Sequence, residues 1–375
     1  MSIGLYRPTW AEVNLGAIKS NFFELQRQVG SSTAVMPIVK ANAYGHGSIQ
    51  IAKTLEEIGA KYLAVASLEE ALELREAGIT APVLIFGYVP TSAAELIVKH
   101  NFTITVIEQA MIKELHTAAL KNNSQAKVHL KIDTGMGRLG LLDFTEFKEV
   151  IELLDSYQGV VLEAIYSHLA CSDEVDKAYS IAQYERFKAY IDYVGKRTNK
   201  PSVHLANSGA IIDLPKYAHD YVRAGISLYG YYPSAEVNKE RVKLLPAMEF
   251  KTKVVYLKEV AANTCIGYGA TYKTDKQSLI ATLPVGYADG YNRLLSNSGK
   301  VIVRGMKVPV VGRVCMDQIM IDVTGVPNIQ RGDEVVLFGK QSNQQVTVDD
   351  IAKQLNTINY EVVCAISSRV PRIYI

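Results

Sequence analysis

The chain has 375 residues, 48% of them hydrophobic and 21% charged, with 40 basic and 38 acidic side chains for a formal net charge of +2. That is an ordinary globular balance with room for two domains, and its near-neutral charge gives no reason to expect nucleic acid or an anionic membrane as a partner. Four widely spaced cysteines (Cys171, Cys265, Cys315, Cys364), no apolar core in the first ten residues and no apolar run of bilayer length argue against a disulfide scaffold, a zinc site, a secretory signal and a membrane span, so a soluble cytoplasmic protein is expected.

The segment 9–15 reads as a first strand. Short apolar runs then recur at 35–39, 62–66, 82–86, 103–107, 127–132, 161–166, 203–206 and 221–228, with stretches of helical period such as 68–77 and 110–121 between them. Eight strand–helix steps predict a parallel (β/α)8 TIM-like barrel. The pattern changes near residue 241. Runs at 253–260, 278–283, 301–303, 308–311, 319–323 and 334–338 follow one another with Gly and Pro turns between, and one helix is expected at 349–355. The fold class expected is therefore α/β, with a barrel over 1–240 and a mostly antiparallel β domain over 241–375. The strand at 9–15 is a candidate to pack with the second domain.

Active sites of barrels lie at the C-terminal strand ends, so the residues following each apolar run carry the functional information. The first run ends Val39-Lys40-Ala41-Asn42-Ala43-Tyr44-Gly45-His46-Gly47. An ammonium at Lys40 would be partly desolvated, which lowers its pKa and makes the amine a nucleophile for an aldehyde. A lysine that snorkels to solvent is the plain alternative. The fifth run leads into Lys131-Ile132-Asp133-Thr134-Gly135-Met136-Gly137-Arg138-Leu139-Gly140. Gly135 to Gly140 matches G-x-G-x-x-G, and Glu163 lies at about the distance of a ribose contact, so a dinucleotide enzyme is a rival. That fingerprint, however, should open the first βα unit. The other reading of these glycines is a tight turn that aims Arg138 inward, where its planar guanidinium suits a carboxylate.

The sixth run ends at Ser167-His168, and a lone histidine there reads first as a structural residue. The seventh and eighth lead to Ser208 and to Arg223-Ala224-Gly225-Ile226. Ser208, Gly225 and Ile226 are phosphate candidates, since barrels often bind phosphate after these two strands. Downstream, Ile266-Gly267-Tyr268-Gly269 reads as a turn with an exposed tyrosine, and Gly312-Arg313-Val314-Cys315-Met316-Asp317 as a β-turn.

Residues 39–47 closely resemble the signature of alanine racemases in which a lysine carries pyridoxal 5′-phosphate (PLP). The likeness extends from about Leu5 to Arg372, including residues 266–269, 286–291, 312–317 and 359–372. It implies an isomerase that binds PLP covalently at Lys40, with Tyr44, Ser208, Gly225, Ile226 and Tyr360 on the phosphate and Arg223 facing the ring nitrogen. Arg138 and the Met316 backbone N–H would bind the substrate carboxylate, with Asp317 in support. Lys131 would be a carbamate that orients Arg138. His168 would hydrogen-bond Arg223 and the catalytic tyrosine. Tyr268 would be a second base that reaches the partner of a homodimer with shared active sites, taking the proton of L-alanine while Lys40 takes that of D-alanine.

Rival readings are a related decarboxylase acting on a basic amino acid, which Arg223 opposes, and a non-enzymatic PLP-binding barrel, which the β domain opposes. Substrate breadth (alanine against serine) stays open. So does the choice between a catabolic role and D-alanine biosynthesis for peptidoglycan precursors.

Overall fold

The computed structural model describes residues 6–375. Residues 1–5, the start of the expected barrel domain and of the family likeness, lie outside the described residues. The chain divides into two compact units. One holds residues 16–43 and 47–246; the other holds the described residues up to Leu15, residues 44–46 and residues 247–375.

The first strand, β1 (Thr9–Val13), belongs to the second of these units. The other unit is built on β2 (Ala34–Pro37), β3 (Leu63–Val65), β4 (Val83–Ile85), β5 (Thr103–Val106), β6 (Ala126–Lys131), β7 (Val160–Tyr166), β8 (Ser202–His204) and β9 (Tyr221–Ala224). All pair in parallel, in the order β2-β9-β8-β7-β6-β5-β4-β3. A parallel bridge between Ile38 and Ala64, with Val39 N–H donating to the Ala64 carbonyl at 2.8 Å, nearly closes the ring. Strands covered on both faces read as continuous apolar runs, which is why all eight were visible as such. The run 221–228 is strand only as far as Ala224; Ile226–Tyr229 is a 3-10 turn.

The crossover helices follow from caps and period. Ser67 accepts from the Glu70 N–H at the start of Leu68–Glu76, and Asp143 accepts from Thr145 and Glu146 at the start of Phe144–Ser156. In the latter helix Phe147, Val150, Ile151 and Leu154 form one buried stripe, each side chain contributing about 1.5–3 kcal/mol by burial. Between β6 and β7 the register slips. Val128 faces Leu162 and His129 faces Ala164, so Glu163 is an extra residue in a β-bulge.

The second unit contains β10 (Met248–Lys253), β11 (Tyr256–Val260), β12 (Cys265–Ile266), β13 (Tyr272–Lys273), β14 (Ser278–Leu283), β15 (Lys300–Val303), β16 (Met306–Pro309), β17 (Ile319–Asp322), β18 (Glu334–Gln341), β19 (Gln344–Val346) and β20 (Arg372–Tyr374). One sheet runs β16-β15-β18-β10-β1-β20, with β19 against β18; a second runs β11-β14-β17; β12 and β13 form a hairpin. The β1–β20 pair is parallel and the other strand pairs of this unit are antiparallel.

The run 253–260, read from sequence as one strand, is divided. Val254 N–H donates to Asp333 O and Val255 N–H to Thr282 O, so the chain passes from one sheet to the next within two residues. The helix Val348–Leu355 starts with a reciprocal cap between Thr347 and Asp350, and the short helix Asn359–Cys364 follows it. Among the described residues no helix is long and apolar enough to cross a membrane.

Candidate active site

In the barrel unit the expected residues gather at the C-terminal strand ends. Lys40 directly follows Val39, whose N–H bonds to Ala64 O where the ring nearly closes. The chain then winds the wrong way for L-residues: Ala41, Asn42, Ala43 and Tyr44 all have φ of 52–53°. Left-handed backbone costs roughly 1–2 kcal/mol per residue, least for Asn. Named contacts hold the barrel part of this turn. Ala41 N–H donates to Glu70 Oε1 at 2.6 Å and Ala43 N–H to Val39 O at 2.9 Å. Ser48 N–H donates to Asn42 Oδ1 at 2.8 Å. Glu70 Oε2 also accepts from Ala66 N–H at 2.7 Å, tying the ends of two barrel steps together. Residue propensities in Ala-Asn-Ala-Tyr gave no sign of this turn, nor of Glu70.

Lys131, at the end of β6, is 4% exposed, with Nζ 4.8 Å from the Tyr166 ring centroid. Burial first, then the charges of Arg223 and Arg138, lower its pKa to about 7. The turn that follows is organised by Asp133, which sequence reasoning passed over. Its carboxylate accepts from the N–H groups of Gly135 (2.8 Å), Met136 (2.8 Å), Gly137 (3.1 Å) and Arg138 (3.0 Å). Burial pushes its pKa up, but these four donors together outweigh burial and hold it below the usual carboxylate range. Gly140 is required for packing, because a Cβ there would lie 2.8 Å from Asp133 N. The glycines thus close a turn around a carboxylate after the fifth barrel strand, and the dinucleotide reading falls. Arg138 is exposed rather than turned into the interior, yet its charge still depresses Lys131, His168 and Arg223.

Arg223, on β9, is 4% exposed. Nη1 donates to His204 Nδ1 at 2.8 Å. Nη2 lies within 2.9–3.0 Å of Ser167 O, Leu205 O and His168 Nδ1. These acceptors are two carbonyls and two imidazoles, none of them a carboxylate. Burial lowers its pKa to about 10, so it stays charged at neutral pH. His168 is held well below the ordinary histidine range by burial and by the charges of Arg223, Lys131, Arg138 and Lys40. It is neutral, with Nδ1 the acceptor and the proton on Nε2.

Ser208 follows β8. Its Oγ accepts from Gly225 N–H at 3.1 Å and lies 3.3 Å from Ser227 N and 2.9 Å from Ser227 Oγ. Ile226 sits between those two donors. Ser227 went unnoticed in the sequence, although it adjoins two residues that were read as phosphate ligands. Lys40, Arg138 and Arg223 near the neutral His168, and small donors converging on Ser208, form a set that suits an anionic ligand.

In the other unit, Tyr44 is buried and its ring centroid lies 6.1 Å from that of Tyr360, so two expected phosphate contacts come together. Burial raises the pKa of Tyr44. Tyr268 stands at the tip of the β12–β13 hairpin and is 71% exposed. Gly267 and Gly269 flank it at φ of 75° and 70°, and a Cβ on Gly269 would lie 3.1 Å from Arg313 Cζ. Met316 is 53% exposed, in a turn closed by Cys315 N–H to Gln318 O at 3.0 Å. Asp317 accepts from Arg369 Nη2 at 2.7 Å, and Arg369 Nε lies 3.0 Å from buried Asp289 as an ion pair.

Residues 13–233 match the N-terminal domain of alanine racemase, and residues 247–374 match its C-terminal domain. The chain belongs to the alanine racemase family. Over 371 residues it is 56% identical to alanine racemase 2 of Caldanaerobacter subterraneus subsp. tengcongensis, covering 98% of this chain and 95% of that protein. Among solved structures, the alanine racemase of Clostridium difficile matches with a TM-score of 0.93 at 41% identity, over 98% of this chain and 96% of that one. The enzyme of E. faecalis matches with 0.92 at 37% identity over 100% of both. As an alanine racemase, the chain is an isomerase that interconverts L- and D-alanine, and the decarboxylase alternative is not favoured.

Proposed function

We propose that this racemase works with pyridoxal 5′-phosphate held at the strand ends of the barrel, and with two bases drawn from two subunits of a homodimer. The donor set of the barrel carries this reading: Lys40, Arg138 and Arg223, beside small donors at Ser208, with the Asp133 carboxylate already taken up by backbone N–H groups. Ser208, Gly225 and Ile226, with Tyr44 and Tyr360, would hold the phosphate. Lys40 would hold the aldehyde end, and Arg223 would face the ring nitrogen. Bound there, PLP supplies a conjugated ring that withdraws electrons from Cα of alanine and makes its proton labile.

The protein's own task is to move that proton between faces. Lys40 accepts it from D-alanine on one side, and Tyr268 of the partner subunit accepts it from L-alanine on the other; each returns it in the reverse direction. The exposure of Tyr268 supports a task outside its own chain. Neutral His168 accepts from Arg223 at Nδ1, which leaves Nε2–H to donate to the catalytic tyrosine. Arg138 and the Met316 N–H bind the substrate carboxylate. Asp317, paired with Arg369, supports the Met316 turn. Lys131, as a carbamate, orients Arg138. Arg223, which keeps its own proton, would face the ring nitrogen as a donor and would leave it unprotonated, restraining side reactions.

The test is the purified protein with added PLP. Visible absorbance should appear and should be fixed by borohydride on the peptide containing Lys40. Lys40→Ala should lose colour and activity. Tyr268→Phe should keep colour and lose most racemisation. A colourless protein, or unimpaired racemisation by Tyr268→Phe, rejects the scheme.

A further inference from the structure

The barrel interior contains polar groups that the scheme above does not use. His204 and His129 are fully buried, with His129 Nδ1 3.0 Å from His204 Nε2. At one end of this pair stands Arg223, 2.8 Å from His204 Nδ1. At the other stands Glu163, with Oε2 3.8 Å from His129 Nε2. Tyr62 Oη and Thr103 Oγ1 donate to the same Oε2 at 3.0 and 3.1 Å, and Lys127 Nζ lies 3.7 Å from Oε1. Glu163 reaches this position as the extra residue of the β6–β7 bulge, a device that re-aims side chains beside active sites.

We infer that Glu163, acting through His129 and His204, is a positioning residue for Arg223. A guanidinium can only donate. His204 must therefore present a bare Nδ1 and carry its proton on Nε2. That proton points at His129, which accepts at Nδ1 and, with the carboxylate facing its Nε2, carries its own proton there. Both hydrogen bonds of the row run the same way, and the Glu163 carboxylate, 3.8 Å beyond the last ring nitrogen, favours this order by its charge. Reversing either ring would set two N–H groups head to head at Arg223 or between the rings. Burial and the Arg223 charge keep both imidazoles neutral, as the row requires. The inference rests on the reading that Arg223 faces the ring nitrogen, because that is how a residue deep in the barrel would bear on the reaction. Glu163 then shapes catalysis without touching substrate or cofactor.

The test begins with the unmodified holoenzyme. Neutron diffraction, or 15N chemical shifts of labelled histidines, should find His129 and His204 neutral with the proton on Nε2 from about pH 6 to 9. A proton on Nδ1 of His204, or an imidazolium at either ring, overturns the inference whatever becomes of the cofactor scheme. Glu163→Ala should mix the two tautomers at His129. It should lower kcat about tenfold with KM for alanine unchanged, and shift the absorbance maximum of the PLP-loaded enzyme. Glu163→Asp, which keeps the anion, should recover more of kcat than Glu163→Gln, which does not. Wild-type tautomers in Glu163→Ala overturn the inference even if kcat falls, because the effect would not have passed through the rings. If that variant does not fold, the tautomers of the unmodified enzyme still decide.

Discussion

Lys131 Nζ lies 4.8 Å from the centroid of the Tyr166 ring, a buried ammonium resting on an aromatic face beside two guanidinium charges. With its pKa lowered to about 7, about half of the amine is neutral at pH 7, the form that adds carbon dioxide. The carbamate proposed there should give a 13C signal in enzyme equilibrated with labelled bicarbonate, absent in Lys131→Ala. Activity lost when carbon dioxide is purged at about pH 6 should return with bicarbonate near pH 8. The sign for the free amine follows from its lowered pKa. The penalty for holding it charged is full below about 7 and fades as pH rises toward the unfolded value of about 10.5. Without carbon dioxide, Lys131→Met should therefore stabilise the fold most below pH 7, as read by Tm.

Asp133 should be as costly to change as a residue that touches substrate. An amide in its place has one acceptor oxygen, and its NH2 would face backbone donors, so Asp133→Asn leaves N–H groups of the 135–138 turn unmatched. The expected loss is about 1–3 kcal/mol in urea unfolding, with weaker alanine binding as Arg138 loses its seat. The carboxyl pKa is lowered in the fold. Its contribution is thus complete above the unfolded value of about 3.9 and is lost as pH falls through the folded one. The gap in Tm between wild type and Asp133→Asn should close in that acid window.

Much of this was legible before any coordinates. Strands covered on both faces betray themselves as apolar runs, and a barrel's rule of strand ends led to Lys40, His168, Ser208 and Arg223. The features that escaped share one physical cause: each depends on partners distant in sequence. Ala41 and Ala43 favour right-handed helix, yet Val39 and Glu70 hold them left-handed. The run 253–260 has uniform strand propensity, yet Val254 bonds to Asp333, next to β18 of one sheet, and Val255 to Thr282 in β14 of another. Asp133 looked like one residue of a glycine-rich motif until four N–H groups were seen to converge on it.

Arg223→Lys tests whether planarity matters beyond charge. The guanidinium serves two carbonyls and two imidazoles from two nitrogens; an ammonium has three donors on a flexible stem and cannot match all four. At least one buried acceptor is left bare, at a cost of about 1–3 kcal/mol in unfolding free energy. If Arg223 serves the ring nitrogen as proposed, kcat should fall by more than the stability loss can explain at assay temperature, because His168 also loses a fixed donor. Stability and kcat equal to wild type would show that only the charge is used.

Sharing of the site between subunits can be tested without a structure of the dimer. In a heterodimer of Lys40→Ala and Tyr268→Phe chains, one barrel lacks both bases. The other combines an intact Lys40 with the intact Tyr268 of its partner. Random exchange of equal amounts makes about half of all dimers mixed, each with one working site of two, so activity should climb from near zero to about a quarter of wild type. Exchange verified by native mass spectrometry without recovery would place both bases in one chain. Partial recovery that tracks the mixed fraction across different ratios would assign Tyr268 to the neighbouring barrel.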